Sequence, residues 1–259
     1  MDVKPKKYLG QHFLIDEKIS ERIAESISQS DKINLLEIGP GTGALTKFLL
    51  HENIDLISYE LDIESIKYLN TEFPDLTVYN EDVLKIDWTK IFVGNYSVTG
   101  NFPYNISSQI LFKIYENRTI VDEMVGMFQK EVAERICSGP GSKKYGILSV
   151  LIQAFYNTEY LFTVSEEVFN PPPKVKSGVI KITRNEIVKL DCDEKLFFRV
   201  VKAIFNQRRK MARNSLKSLL GDEKIDHVLM TKRPEELSIK NFIEITNMLE
   251  SKINSLKTS

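Results

Sequence analysis

Ile33-Asn34-Leu35-Leu36-Glu37-Ile38 runs without a break into Gly39-Pro40-Gly41-Thr42-Gly43. An apolar strand ending on three alternate glycines, with a helix following through Leu50, predicts the first half of a nucleotide-binding unit. The glycines allow a sharp turn and let the backbone approach a ligand closely. This confines the chain to an open α/β fold on parallel strands. The spacing is G-x-G-x-G. A dinucleotide site needs G-x-G-x-x-G with a pyrophosphate on the helix N-terminus. Glu37, two residues before the first glycine, would repel a pyrophosphate and suits a ligand with a cationic amino-acid tail. The turn therefore favours S-adenosylmethionine over a nicotinamide cofactor.

Further strands extend the unit. Ile54–Tyr59 leads to Glu60, about 20 residues beyond the glycine turn, where an acid accepts from ribose hydroxyls. Asp62 is placed to cap a helix over Ile63–Leu69. Leu76–Tyr79 precedes Asp82, expected to accept from an adenine amino group with Val83 beside it. Tyr96–Thr99 is a fourth strand, broken at Gly100, that delivers Asn101-Phe102-Pro103-Tyr104. Pro103 fixes its own φ and pushes Phe102 toward an extended backbone. The Asn101 side-chain oxygen and the Phe102 carbonyl can converge on one amino group, with the Tyr104 ring against the plane that carries it. On these four residues alone, an Asn-Pro-type turn with a buried tyrosine is an equal reading. A helix over Ile106–Tyr115 leaves the loop.

The flanking segments are less specific. Lys4–Lys7 is a basic arm and Gly10–Leu14 a lead-in loop to a helix capped by Asp16. Val121–Phe128 continues the alternation, and Lys130–Ile136 and Ile147–Phe155 read as helices. Between them, Ser138–Gly146 is a turn-rich loop whose Lys143 and Lys144 can reach phosphate. Leu161–Val164 and Ser177–Thr183 are strands. Phe169-Asn170-Pro171-Pro172-Pro173 is stiff and cannot join a sheet interior; on the residues alone, Phe169 anchors it to the core. Beyond a polar linker at Arg184–Leu190, helices are expected over Glu194–Asn206, Met211–Leu220, Lys224–Met230 and Ile239–Leu256, the last capped by Ser238. The expected domains are 1–184 and 185–259.

Charge distribution says more than the total. The net charge is −1 over 259 residues, yet Arg199–Lys217 holds seven basic and no acidic side chains. A cationic face on a near-neutral chain points to selective phosphate contact. Cys137 and Cys192 match no metal or redox spacing, and His12, His51 and His227 are scattered. No metal, no membrane span and no signal or transit peptide is read. The expectation is a reduced, cytoplasmic protein.

Six segments occur in the order seen in ribosomal RNA adenine N6,N6-dimethyltransferases. They are Leu9–Leu14, Glu37–Gly43, Glu60–Asp62, Asn101–Ser107, Phe169–Val175 and Phe205-Asn206-Gln207-Arg208-Arg209-Lys210. The chain resembles that family over nearly its whole length, most closely the bacterial small-subunit enzymes. The resemblance implies a Rossmann-like class I methyltransferase sheet with a small α-helical C-terminal domain. It implies S-adenosylmethionine as cofactor, held by His12, Leu14, Gly39, Gly41, Glu60, Asp82 and Asn101. His12 stands where relatives usually carry Asn, and Phe102 where they carry Leu. Catalysis would fall to Asn101, Phe102, Pro103 and Tyr104, with Phe169 as the second aromatic against the base. Lys143, Lys144, Lys174, Arg208, Arg209, Lys210 and Arg213 would contact RNA. The implied substrate is a pair of adjacent adenosines in the 3′-terminal hairpin loop of 16S rRNA, within a pre-30S or 30S particle, methylated by a monomer. The rival readings are a 23S rRNA adenine methyltransferase and a non-catalytic ribosome-assembly factor.

Overall fold

A computed structural model describes residues 3–221 and 223–257. The strands and α-helices, in chain order, begin with β1 (Phe13–Leu14), α1 (Glu17–Glu25), β2 (Ile33–Ile38), α2 (Thr46–Leu49), β3 (Ile54–Tyr59), α3 (Ile63–Glu72) and β4 (Thr77–Tyr79). Then come β5 (Tyr96–Asn101), α4 (Ser107–Glu116), β6 (Val121–Gln129), α5 (Lys130–Ile136), α6 (Ile147–Gln153), β7 (Tyr156–Val164), β8 (Phe169–Asn170) and β9 (Ser177–Arg184). The last are α7 (Glu194–Asn206), α8 (Ala212–Ser215), α9 (Lys217–Leu220) and α10 (Ile239–Lys257). Two compact units result: one runs through Glu134 and takes in Asn157–Arg184, the other holds Arg135–Tyr156 and the chain from Asn185 onward. Residues 135–156 thus cluster with the helical unit, whereas the sequence predicts a single boundary at 184.

The first unit is a seven-stranded sheet in the order β4-β3-β2-β5-β6-β9-β7. β4, β3, β2, β5 and β6 run parallel, and β9 lies antiparallel to β6. β2 is buried at every residue but the half-buried Asn34, as a central parallel strand covered on both sides must be. The chain winds outward from β2 to β4 and returns to β5, so strand order reverses beside β2. Ligands of open α/β sheets bind outside the carboxyl ends of the strands at such a point. Gly39, Glu60 and Asn101 all sit at those ends.

Gly100 does not break β5; the strand continues to Asn101. Glycine is required there because a Cβ would lie 2.5 Å from the Ile38 carbonyl oxygen. Gly126 on β6 has the same role toward a side chain. Phe102 is buried, its ring is 5.0 Å from that of Phe128, and a Cβ on Gly126 would come within 2.1 Å of it. The larger aromatic at position 102 therefore occupies space left by two glycines. Gly126→Ala is expected to cost about 1–3 kcal/mol by overpacking, and Phe102→Leu in the same chain should return much of it. Urea unfolding of the four-member cycle tests this; strictly additive losses would show that the ring and the glycine are not coupled.

In the helical unit, α7 buries Phe197, Val200, Val201, Ile204 and Phe205 along one stripe. α10 supplies Phe242, Ile245 and Leu249, and Phe205 stacks on Phe242 at 5.7 Å. Asp193 caps α7 at the Leu196 amide, 2.6 Å away, and Ser238 caps α10 through the Asn241 amide at 3.2 Å. Two expected helices differ. Met211–Leu220 is split into α8 and α9 around Leu216, whose ψ of −7° opens the turn. Lys224–Met230 holds no α-helix, only a 3-10 turn over Val228–Thr231 with His227 before it. Among the described residues no helix is long and apolar enough to cross a membrane.

Candidate active site

The carboxyl ends of β2, β3 and β5 open into a pocket of about 1110 Å³, including the space at its mouth. Four carboxylates line it (Glu37, Glu60, Glu81 and Asp82) and, among the described residues, no lysine or arginine does. A pyrophosphate would find no counter-charge here. A ligand carrying a sulfonium and an ammonium group fits this donor set. Gly41, at φ 58°, sits against the Phe13 ring, where a Cβ would come within 3.1 Å. The turn is thus a close-fitting floor that any side chain would narrow.

Glu60, 7% exposed, is held by backbone amides. Its Oε2 accepts from Gly41 N–H at 3.0 Å, and its Oε1 from Leu61 and Asp62 N–H at 2.8 and 2.9 Å. Each carboxylate oxygen has two lone pairs, so Oε2 keeps one for a ligand hydroxyl. Burial raises the Glu60 pKa, and the three amides work against that rise. Asp82 turns its Oδ1 to the Leu84 amide at 3.0 Å and its Oδ2 toward Lys85 Nζ at 3.3 Å.

Glu37 departs from the simple expectation of an open anion. It is 1% exposed, and its Oε2 accepts from the hydroxyls of Thr46 (2.8 Å) and Ser58 (3.2 Å). The register that sets Glu37 opposite Ser58 creates the second contact. Burial pushes its carboxyl up to about 7.

At the end of β5, Asn101 donates from Nδ2 to the His12 carbonyl oxygen at 2.9 Å. Its Oδ1 is thereby left as an acceptor at the pocket. The Phe102 N–H donates to the Met127 carbonyl at 3.2 Å, while its own carbonyl, which follows Asn101 directly, has no protein donor among the described residues. Tyr104 is fixed by a 2.6 Å hydrogen bond between its hydroxyl and Ser177 Oγ, and burial raises its pKa. The His12 ring lies 5.6 Å from the Tyr104 ring, and its Nδ1 contacts the Pro171 carbonyl at 2.7 Å.

Three placements correct or extend the sequence reading. Gly10–Leu14 is not merely a loop: β1 pairs antiparallel with β8, Leu14 opposite Phe169. Phe169 is accordingly 2% exposed in the core with Ile23, Val125, Met127 and Val179, and it does not line the pocket. This packing agrees with the core anchor that the residues alone suggest, while a place beside the base is what the resemblance implies. The third is Lys6, Gln11 and Asp62, a cluster that local patterning missed. Asp62 caps α3 as expected, but it also accepts from Lys6 Nζ and, at 3.2 Å, from Gln11 Nε2. Burial would raise the Asp62 carboxyl; the Lys6 and Gln11 bonds hold it below the usual range.

The predicted RNA contacts fall in both units. Lys174 is exposed in the first; Lys143, Lys144, Arg209, Lys210 and Arg213 are exposed in the second. Arg208 is half-buried and donates from Nη2 to the Lys143 carbonyl, so part of its role is to hold the 138–146 loop.

A reversed-order parallel sheet, an anionic pocket at its switch point and an Asn-Phe-Pro-Tyr loop define a class I S-adenosylmethionine-dependent methyltransferase. The chain belongs to the ribosomal RNA adenine dimethylase family, whose description matches residues 3–251. It is 58% identical over 248 residues to the ribosomal RNA small subunit methyltransferase A of Parabacteroides distasonis, covering 94% of this chain and 93% of that one. The protein of the same name from Flavobacterium johnsoniae is 54% identical over 253 residues, covering 96% and 97%. Among solved structures, a dimethyladenosine transferase from Plasmodium falciparum superimposes with a TM-score of 0.76 at 24% identity, over 93% of this chain and 98% of that one. The 23S rRNA methyltransferase ErmE does so with 0.68 at 24% identity, over 91% and 99%. These two structures speak to the fold.

Proposed function

We propose that this chain dimethylates the N6 amino groups of two adjacent adenosines in the 3′-terminal hairpin loop of 16S rRNA, acting as a monomer in the cytoplasm on a pre-30S or 30S particle. The observation that carries the reading is the Asn101 amide. With Nδ2 committed to His12, Oδ1 and the neighbouring Phe102 carbonyl are two acceptors for one amino group.

S-adenosylmethionine, when bound, supplies an electrophilic methyl group on a sulfonium. The adenine amino nitrogen is a poor nucleophile because its lone pair is delocalised into the ring. Asn101 Oδ1 and the Phe102 carbonyl accept its two hydrogens, favour a pyramidal nitrogen and aim the lone pair. Preorganised positioning of this kind is where most of the acceleration arises. The proton becomes acidic only after transfer, so no general base is needed at the transition state. The base must leave its stack to reach the site, and a face on Tyr104 returns about 1–3 kcal/mol. Glu60 takes a ribose hydroxyl, Asp82 the adenine amino group, and the glycine turn with His12 and Leu14 encloses the cofactor. Lys143, Lys144, Lys174, Arg209, Lys210 and Arg213 offer charge to phosphates, with Arg208 supporting the loop that carries Lys143 and Lys144.

The names of relatives above 50% identity support the small subunit over the 23S substrate. The test is methyl transfer from labelled S-adenosylmethionine to undermethylated small subunits, large subunits and naked RNA, with the modified base mapped. Dimethyladenosine confined to the 16S 3′ hairpin is expected. Label in 23S RNA would overturn the substrate, and tight subunit binding without label would make the chain an assembly factor.

A further inference from the structure

We infer that Lys6 and Gln11 are positioning residues: acting through Asp62, they set the Glu60 carboxylate for the cofactor ribose, an inference that rests on the ribose role of Glu60. The Asp62 side chain is fully buried. Its carboxylate accepts from Lys6 Nζ, from Gln11 Nε2 at 3.2 Å, from the Glu64 amide at 3.0 Å and from Ser65 Oγ at 3.2 Å. A carboxylate has about four lone-pair sites, so Asp62 is saturated and holds no ligand itself.

A helix cap does not need so much. Asp16, in the same chain, caps α1 with two backbone amides alone. Asp62 draws in two more side chains, from 51 and 56 residues away. The Gln11 side chain is in turn oriented by the Lys6 amide, which donates to its Oε1 at 2.7 Å. The extra contacts fix the backbone at residue 62, and that backbone aims Glu60: the Asp62 N–H donates to Glu60 Oε1 at 2.9 Å. They also supply a cation. Glu60 and Asp62 are buried carboxylates two residues apart, and the Asp62 charge opposes ionisation of Glu60. Lys6 offsets that charge and keeps Glu60 a strong acceptor.

The arm is also part of the site. Leu9, Gly10, Gln11 and His12 line the same pocket as Glu60. Gly10, at φ 67°, seats against Asn105, where a Cβ would lie 2.8 Å from Oδ1. One end of the arm is held by Asp62 and the other by Asn101 and the β1–β8 pair. Ribose recognition and the pocket wall therefore share one set of hydrogen bonds.

The test is calorimetric titration of the full chain with S-adenosylhomocysteine and with its 3′-deoxy form, using wild type, Gln11→Ala, Lys6→Met and Lys6→Arg. Loss of a hydroxyl that bonds a charged acceptor should weaken wild-type binding by about 10- to 100-fold. In Gln11→Ala and Lys6→Met that ratio should fall below about threefold, with Lys6→Arg keeping most of it. Thermal unfolding checks each variant, and Lys6→Met, whose side chain is partly exposed, serves if Gln11→Ala unfolds. An undiminished ratio, whatever happens to absolute affinity, would reduce the arm to a structural clasp. If wild type itself fails to distinguish the two ligands, the ribose role of Glu60 falls, and this inference with it.

Discussion

Asn101→Ala is expected to lower the single-turnover rate of methyl transfer by about 10²–10³-fold, the scale on which removal of one preorganised polar group acts. Cofactor affinity should fall only moderately, because Glu60, Asp82 and the glycine turn are untouched. Two contacts are lost together: the acceptor at Oδ1 and the 2.9 Å tether from Nδ2 to the His12 carbonyl. Asn101→Asp separates them. It keeps an acceptor but sets a carboxylate against the His12 carbonyl, so the side chain should swing away from its aimed position. If acceptance at Oδ1 were sufficient without the tether, Asn101→Asp would stay within about tenfold of wild type. If Asn101→Ala reacts on assembled RNA at a rate near wild type, the two-acceptor account of catalysis is wrong.

Those parts of the site that depend on neighbours in sequence were legible from the start. The glycine turn after β2, the acid after β3 and the Asn-Phe-Pro-Tyr loop after β5 each lie within a few residues of the strand that positions them. The caps at Asp16, Asp62 and Ser238 follow the same local logic. What local patterning does not show has a different cause. Phe169 lies 155 positions after the residue it pairs with, Leu14, so its packing is not visible in its own neighbourhood of the sequence. Lys6 and Gln11 look like solvated lead-in until Asp62 is brought beside them. Gly100 looks like a strand breaker because its reason for being glycine, the Ile38 carbonyl, belongs to another strand. In the helical unit, Met211–Leu220 has helical apolar spacing, but two short turns bury its Ala212 and Leu216. Periodicity records which residues are buried and leaves the continuity of the helix to tertiary packing.

Glu37→Gln should raise stability above neutral pH while weakening the cofactor. The native carboxyl is pushed up to about 7 by burial, from an ordinary value of 4.5. Below pH 4.5 both folded and unfolded chains carry the proton, and Glu37 imposes no penalty. Between 4.5 and about 7 the unfolded chain releases its proton while the folded chain retains it, so stability falls as pH rises. Above about 7 the full penalty is present, roughly 3 kcal/mol at 1.36 kcal/mol per pH unit. Glu37→Gln has no proton to lose and can still accept from Thr46 and Ser58, so that pH-dependent loss should vanish. Urea midpoints of both proteins at pH 5 and pH 8 measure it; parallel pH slopes would mean that Glu37 is not neutral in the folded chain. S-adenosylmethionine brings an ammonium group that favours the ionised carboxylate. Its binding should therefore release a proton near pH 6 in wild type and none from position 37 in Glu37→Gln, with affinity at pH 8 lower by about tenfold or more for the lost charge. A more stable protein that binds its cofactor less well is the outcome expected of a charge kept buried for function.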